Sequence, residues 1–357
     1  MSAAGSKGTV LVIGGGVAGL AASLSLVDQG VQVKLVEREM FLGGRIARSS
    51  AVFPTMDKGQ DIVDVFVGEL EASQDFDAML STEVVMVDRV GRRFEVEMES
   101  KPNADARGCV QRRTLQADAI ILATGLEPID ASVIPELGYP KLANVLLSTS
   151  FDEIVQKGLK RPSDGGTVGA VAFVQCVGSR VETRGVPYCS AVCCMNAIKN
   201  AIAIKEADNS VEVYVLYIDI RTHGKGYEAL YKKARERGVR FIRGQPSMIV
   251  RRPGSERLLV VGENTLLKEL YEIPVDLAVL SVGLRPSQGT SELLSMLDLR
   301  PDKDGLIGED DRFESTSTSV KGVFVAGCAE APKDVRDSIA QGEAAALAAY
   351  RHVLALR

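Results

Sequence analysis

An α/β protein with two separate strand–helix alternations is the fold class that the sequence predicts, and three features of the chain carry that expectation. Segments with strand and helix patterns alternate near the N-terminus and start again at about residue 148. The apolar runs are built from Val, Ile, Leu and Ala, with Trp absent and aromatics at 5%, as suits parallel sheets buried on both faces. A glycine run follows the first strand at once. The length of 357 residues suggests two domains, or one interrupted by another. Charged residues make up 25% of the chain and Lys plus Arg (42) nearly balance Asp plus Glu (47), a formal charge of −5. No basic stripe is interleaved with aromatics, so a nucleic-acid partner is not expected. No uninterrupted apolar run reaches the roughly 18 residues that span a bilayer, and no membrane or targeting segment is expected. A reducing cytoplasm is then the expected setting, where clustered cysteines serve as metal ligands or redox groups rather than structural disulfides.

Thr9 to Ile13 is a β-branched and apolar run, followed by Gly14-Gly15-Gly16-Val17-Ala18-Gly19 and a helical pattern from Leu20 to Gln29. Strand, turn and helix within about twenty residues form the Rossmann-like dinucleotide fingerprint. Gly14 permits the tight turn, Gly16 lets backbone approach a pyrophosphate at the helix N-terminus, and Gly19 lets the helix pack on the strand. The next strand, Val31 to Val36, runs into Glu37 and Arg38, and a carboxylate there can accept the ribose hydroxyls. FAD or NAD is then the choice. Glu39 followed by Gly43-Gly44-Arg45 favours FAD, because a second glycine pair and a cation can support its longer pyrophosphate and ribityl chain.

That E-x3-GGR segment resembles the one in thioredoxin-reductase-like flavoproteins with two dinucleotide-binding domains. Two further segments are similar to theirs: Asp118 to Thr124-Gly125, a buried strand entering an A-T-G turn, and Gly322 to Gly327, a strand ending beside the flavin. Such flavoproteins usually follow this last glycine with an acid, but here Gly327 is followed by Cys328, which leaves the ribityl contact to backbone. Downstream, Lys333 and Asp334 precede a long helix, Val335 to Leu356, with Ser338 and Ile339 in its first turns. Its N-terminus under the flavin would stabilise negative charge on the reduced ring.

In the second alternation, a helix is expected over Thr149–Lys157, strands over Thr167–Gln175, Val211–Ile218 and Val239–Arg243, and helices over Ser190–Ala207 and Gly226–Arg237. After its first strand a nucleotide would need glycines; the chain instead has Cys176-Val177-Gly178-Ser179-Arg180, leading to Cys189. Four of six cysteines fall between Cys176 and Cys194, spaced C-x12-C-x3-C-C, so NAD is not expected here and the thiols ask for a shared ligand. If the turn is helical, Cys189 and Cys193 stack on one face, with Cys194 beside them and Cys176 at the strand end. Zinc knuckles favour paired C-x2-4-C arms, whereas adjacent cysteines with a distant thiol suit an iron-sulfur cube. A redox disulfide between Cys189 and Cys193, zinc, and plain buried thiols stay open beside it.

The segments Phe173 to Arg180, Pro187 to Met195, Asp219-Ile220-Arg221-Thr222 with Gly224 to Tyr227, and Gly327 to Asp334 resemble the A-type component of heterodisulfide reductase, and nearly the whole chain is covered. The resemblance implies FAD, and a [4Fe-4S] cluster on Cys176, Cys189, Cys193 and Cys194. It also implies a homodimer, partner subunits of B and C type, and electron transfer to them. The length is similar to compact forms in heterodisulfide-reductase-like complexes of sulfur oxidisers, without the added modules of the longer forms, so flavin-based bifurcation is not expected. An NAD(P)H-dependent disulfide reductase using Cys189 and Cys193 is the alternative. The expected domains are 1–147 and 301–357 for FAD, with 148–300 inserted and bearing the cysteines. Cys109 falls in a polar segment, Lys101 to Arg113, that reads as a hairpin loop. His223 and His352 lack a ligand pattern, Arg285-Pro286 reads as a chain reversal, and the loop Phe53 to Asp57 is expected near the flavin edge.

Overall fold

The computed structural model describes residues 8–100, 110–308 and 313–357. Packing divides the chain into two compact units: residues up to Arg48, Gly59–Glu127 and Arg285–Arg357 form the first, and Ser49–Lys58 with Pro128–Leu284 the second. The chain thus passes between the units at 48/49, 58/59, 127/128 and 284/285, whereas the sequence pattern put two boundaries, at 147/148 and 300/301. The segment 101–109, with Cys109 and most of the expected hairpin loop, lies outside the described residues.

The first unit is built on a five-stranded sheet in the order Val323–Val325, Ala119–Leu122, Thr9–Ile13, Gln32–Val36, Phe76–Met79. All neighbours run parallel, with Thr9 opposite Gln32 and Val10 opposite Ala119. Alternate side chains point to opposite faces of a strand, and both faces are covered. Val10, Val12 and Leu35 meet the helices Val17–Asp28 and Val335–Leu356 in one core cluster, while Leu11, Ile13 and Leu122 meet Phe94, Val96 and Met98 in another. Those last three belong to an antiparallel sheet, Thr82–Val90, Arg93–Ser100 and Gln111–Ala117.

The second unit repeats the plan. Its parallel sheet has the order Arg240–Arg243, Glu212–Tyr217, Ala170–Val177, Leu277–Val282, Val145–Leu147. Val171 and Phe173 face one core cluster with the helix Cys193–Ala207, and Ala170, Ala172 and Val174 face another with the antiparallel strands Leu258–Asn264 and Glu269–Val275. Two expectations are corrected. The helix expected from Ser190 begins at Cys193. Arg285-Pro286 belongs to a short extended strand, Leu284–Pro286, rather than a reversal. Phe53 packs edge-on against Tyr227, ring centroids 5.3 Å apart, as part of the second unit's core.

Candidate functional site

The fingerprint turn of the first unit is shaped for close approach. Gly14 has φ 110°, and a Cβ on Gly19 would lie 2.0 Å from the Gly14 carbonyl oxygen, so helix and turn touch through backbone. Gly16, which precedes the helix Val17–Asp28, makes no side-chain cap, and a Cβ there would meet nothing within 4 Å. The first helical turn, from Val17 and Ala18 on, thus begins without a side-chain cap and with the positive end of the helix behind it, an arrangement that takes phosphate. Glu37 is buried. Its Oε2 accepts from Gly15 N at 2.7 Å and its Oε1 from Glu39 N at 2.8 Å. Each oxygen keeps a second lone pair for a hydroxyl, so the carboxylate is fixed and still able to accept a ribose.

Other expected contacts gather around the same turn. Gly43 N donates to Gly15 O at 2.7 Å, and Gly44 lies against Gly16. Arg45, in the short helix Gly44–Ala47, is an exposed residue, yet desolvation by the surrounding protein lowers its guanidinium pKa against an opposing pull from Cys328. Arg38 Nη1 donates to the Gln288 carbonyl at 3.0 Å. Thr124 Oγ1 lies 3.3 Å from Thr290 Oγ1, and Gly125 follows with φ 69°. Gly327 packs on Ala18 and begins a 3-10 turn, Gly327–Ala329. Cys328 Sγ donates to the Lys333 carbonyl at 3.3 Å and lies 3.9 Å from Ser338 Oγ. Lys333 Nζ donates to Gly327 O (2.8 Å), Glu330 Oε2 (2.7 Å) and Ala331 O (2.9 Å), so its three protons clamp its own loop. Asp334 caps the helix Val335–Leu356 through Asp337 N at 2.9 Å; Ser338 is buried and Ile339 half-buried beyond it.

In the second unit the strand Ala170–Val177 ends in a turn that departs from ordinary backbone. Cys176 (φ 59°), Gly178 (φ 62°), Arg180 (φ 65°) and Ala191 (φ 58°) are all left-handed; three are not glycine, the kind of local strain that concentrates at functional sites. Cys193 hydrogen-bonds both Cys176 and Cys194, which with burial raises its own thiol pKa well above the usual value. The same bond from Cys193 brings Cys194 down to about 7, against desolvation and with help from the Arg221 amide. Cys176 is lowered by Cys193 first and by Arg180 after it, against burial and Cys194.

Cys189 stands differently from the expectation. Ala191 breaks the turn and the helix starts only at Cys193, so Cys189 and Cys193 do not share a helical face. Cys189 Sγ instead accepts from Ala191 N at 3.3 Å. Hydrogen bonds thus link three of the four cysteines, Cys176, Cys193 and Cys194. Among the described residues no group of three or more His, Cys, Asp or Glu forms a donor set for a single metal ion, and the described cysteines are free thiols.

Several residues here were given no role of their own in the sequence, although they lie in the segments that carry the resemblance. Arg180 Nη1 bonds Asp219 Oδ1 at 2.6 Å, and the Asp219 carbonyl accepts from Cys194 Sγ at 3.8 Å. Arg180 and Asp219 line a cavity of about 480 Å³ with Tyr217, Thr222, Tyr231 and Arg243. Gln175 is fully buried one residue before Cys176, with neither amide atom partnered among the described residues. The signals for them were that resemblance and their position: Arg180 lies four residues past Cys176, and Asp219 just past a strand end.

A glycine-cradled dinucleotide turn on one parallel sheet, with a second sheet of the same kind, defines an oxidoreductase of two dinucleotide-binding-type units. Residues 8–342 match the family of pyridine nucleotide-disulphide oxidoreductases, and the chain belongs to it. The fold is that of thioredoxin reductases: the enzyme of Lactococcus lactis superposes with a TM-score of 0.67 at 18% identity over 98% of this chain and 100% of its own, and that of T. acidophilum with 0.64 at 21% over 97% and 98%. Within that family the chain is a relative of the A-type components of heterodisulfide reductases. It is 34% identical over 95% of its length to the iron-sulfur A component of the CoB–CoM heterodisulfide reductase of Methanocaldococcus jannaschii, and 32% identical over 95% to the A component of the H2/formate:CoB-CoM heterodisulfide, ferredoxin reductase of Methanococcus maripaludis. The chain spans 63% of each of these relatives.

Proposed function

We propose that this chain is an FAD- and [4Fe-4S]-binding electron-transfer subunit of a heterodisulfide-reductase-like complex working in sulfur oxidation. FAD supplies two-electron storage when bound, and an iron-sulfur centre supplies one-electron transfer. In this reading the amides after Gly16 hold the pyrophosphate, Glu37 the ribose, and the helix that starts at Val335 points its positive end at the flavin ring. Cys176, Cys193 and Cys194, with Cys189 on the adjoining loop, hold the cluster. The observation that carries the reading is a pairing within one chain: a glycine phosphate cradle after the first strand of the first unit, and thiols in place of such a cradle at the corresponding strand end of the second. The chemistry of the donor set supports iron, since adjacent thiols with a third beside them suit several metal atoms better than one. The orphaned Gln175 amide supports a further polar group nearby, because a buried amide without a partner costs roughly 2–7 kcal/mol.

Partner subunits of B and C type would take the electrons, and a homodimer and a reducing cytoplasmic setting belong to the same reading. No helix among the described residues is long and apolar enough to cross a membrane. Protein purified without oxygen is expected to carry FAD together with iron and acid-labile sulfide, and Cys193→Ser to lose the cluster absorbance while keeping the flavin. FAD without iron would overturn the assignment. The family match favours one other reading, NAD(P)H-driven disulfide reduction through Cys189 and Cys193; rapid bleaching of the flavin by stoichiometric NADH or NADPH, with no partner present, would select it.

A further inference from the structure

We propose that the Arg180–Asp219 ion pair sets the reduction potential of the cysteine-held centre, Arg180 raising it and Asp219 lowering it. The inference rests on the iron-sulfur reading above and assigns two residues that hold no metal themselves. Arg180 Nη1 and Asp219 Oδ1 are 2.6 Å apart, and each of the two residues also meets one thiol, Arg180 through its side chain and Asp219 through its backbone. On one side the guanidinium acts on Cys176 by charge and by hydrogen bond; on the other the Asp219 carbonyl lies 3.8 Å from Cys194 Sγ, which puts that residue beside the second sulfur.

The loop is built to hold Arg180 there. Its left-handed backbone, φ 65°, is tied by Arg180 N to the Tyr188 carbonyl at 3.1 Å, and Ser179 Oγ bonds the same oxygen at 2.8 Å. Tyr188 is in turn pinned through its hydroxyl to the Leu284 carbonyl at 2.8 Å. Cys176 and Cys194 are each only 3% exposed, so a charge beside them is weakly screened by solvent and salt. Asp219 is more open, with 47% of its side chain exposed against 25% for Arg180. Its field is therefore the more screened of the two.

The step concerned is simple: one electron enters the centre, no bond forms or breaks, and no proton moves. The added negative charge is stabilised by a neighbouring cation and opposed by a neighbouring anion. Arg221 adds a third charge, 3.7 Å from Asp219, and with 44% of its side chain exposed it is screened nearly as much as Asp219.

The test is a redox titration of the wild type and three variants, reduced with dithionite and read by the electron paramagnetic resonance of the reduced centre. Arg180→Gln is expected to lower the ratio of reduced to oxidised centre at a fixed potential about tenfold, a displacement of about 59 mV for one electron. Arg180→Lys, which keeps the charge, should stay within about threefold of wild type, and Asp219→Asn should raise the ratio severalfold. Ratios unmoved in both Arg180→Gln and Asp219→Asn, or moved the same way by both, overturn the inference while leaving the cluster reading intact. Should Arg180→Gln fail to hold iron, the sign of the Asp219→Asn shift decides. A wild type without iron removes the cluster reading and this inference together.

Discussion

His352 sits in the helix Val335–Leu356 with its ring 6.2 Å from that of Phe324, and its Nε2 is buried without a partner among the described residues. Desolvation lowers its pKa below 6.5, helped by the charges of Lys321 and Arg89 and opposed by Asp118. A base whose folded pKa is depressed binds its proton more readily in the unfolded chain, so stability rises with pH across the window between the folded value and 6.5. The contribution is fully present above pH 6.5 and is lost as the pH falls toward the lowered value. His352→Phe is expected to flatten that part of the profile. Chemical denaturation at pH 7.5 and pH 5.5 checks it: a wild-type loss on acidification that persists unchanged in the variant assigns the effect elsewhere. His352, which shows no ligand pattern in the sequence, is thus half-buried, because Gly322 leaves room for its ring; a Cβ there would lie 2.9 Å from Nε2.

At the scale of elements, the turn joining Thr9–Ile13 to Val17–Asp28 separates two uses of glycine. Gly19→Ala would drive a Cβ into the Gly14 carbonyl, so destabilisation of about 1–3 kcal/mol is expected, seen by denaturation of the flavin-free protein. Gly16→Ala meets no protein atom. Its folded stability should change by no more than about 1 kcal/mol, while flavin affinity falls at least tenfold, or about 1.4 kcal/mol. Equal flavin affinity in Gly16→Ala would mean that the phosphate lies elsewhere. Much of this element was legible in advance: strand, turn and acid follow in one short window, and the long C-terminal helix has the expected bounds, Val335–Leu356. The cysteine turn was less so. Its C-x3-C spacing suggested a helical face, but helix propensity says nothing about a single left-handed residue such as Ala191, whose neighbour Ser190 is bonded by the Leu284 amide from far along the chain.

For the whole molecule, the most consequential feature is the discontinuity of the second unit. Ser49–Lys58 belongs to it although the surrounding chain does not. Asp152, in the helix Ser148–Gln156, accepts from Ser49 Oγ (3.2 Å) and Ser50 N (3.3 Å), and both its oxygens take Lys199 Nζ at 3.1 and 3.0 Å. Lys199 is 1% exposed, and burial lowers its ammonium pKa against the opposing charge of Asp152. Removing one partner strands the other charge in the interior, so Asp152→Ala is expected to cost about 3–5 kcal/mol. The double change Lys199→Met with Asp152→Leu should recover most of that loss, and a double-mutant cycle by denaturation measures it. Additive losses would show that the pair does not act as a unit.

The sequence by itself determined the two parallel sheets, the glycine cradle with its carboxylate, and the identity of the thiols, because periodicity, glycine turns and cysteine spacing are written within short windows. Tertiary structure alone decided the antiparallel sheets that cover each parallel one, the membership of Ser49–Lys58, the place of Cys189 off the helix, and the Arg180–Asp219 pair beside the sulfurs. Those depend on contacts between residues far apart in the chain, such as Arg180 with Asp219 or Asp152 with Ser49. No local pattern encodes them; they exist only once the sheets have brought their ends together.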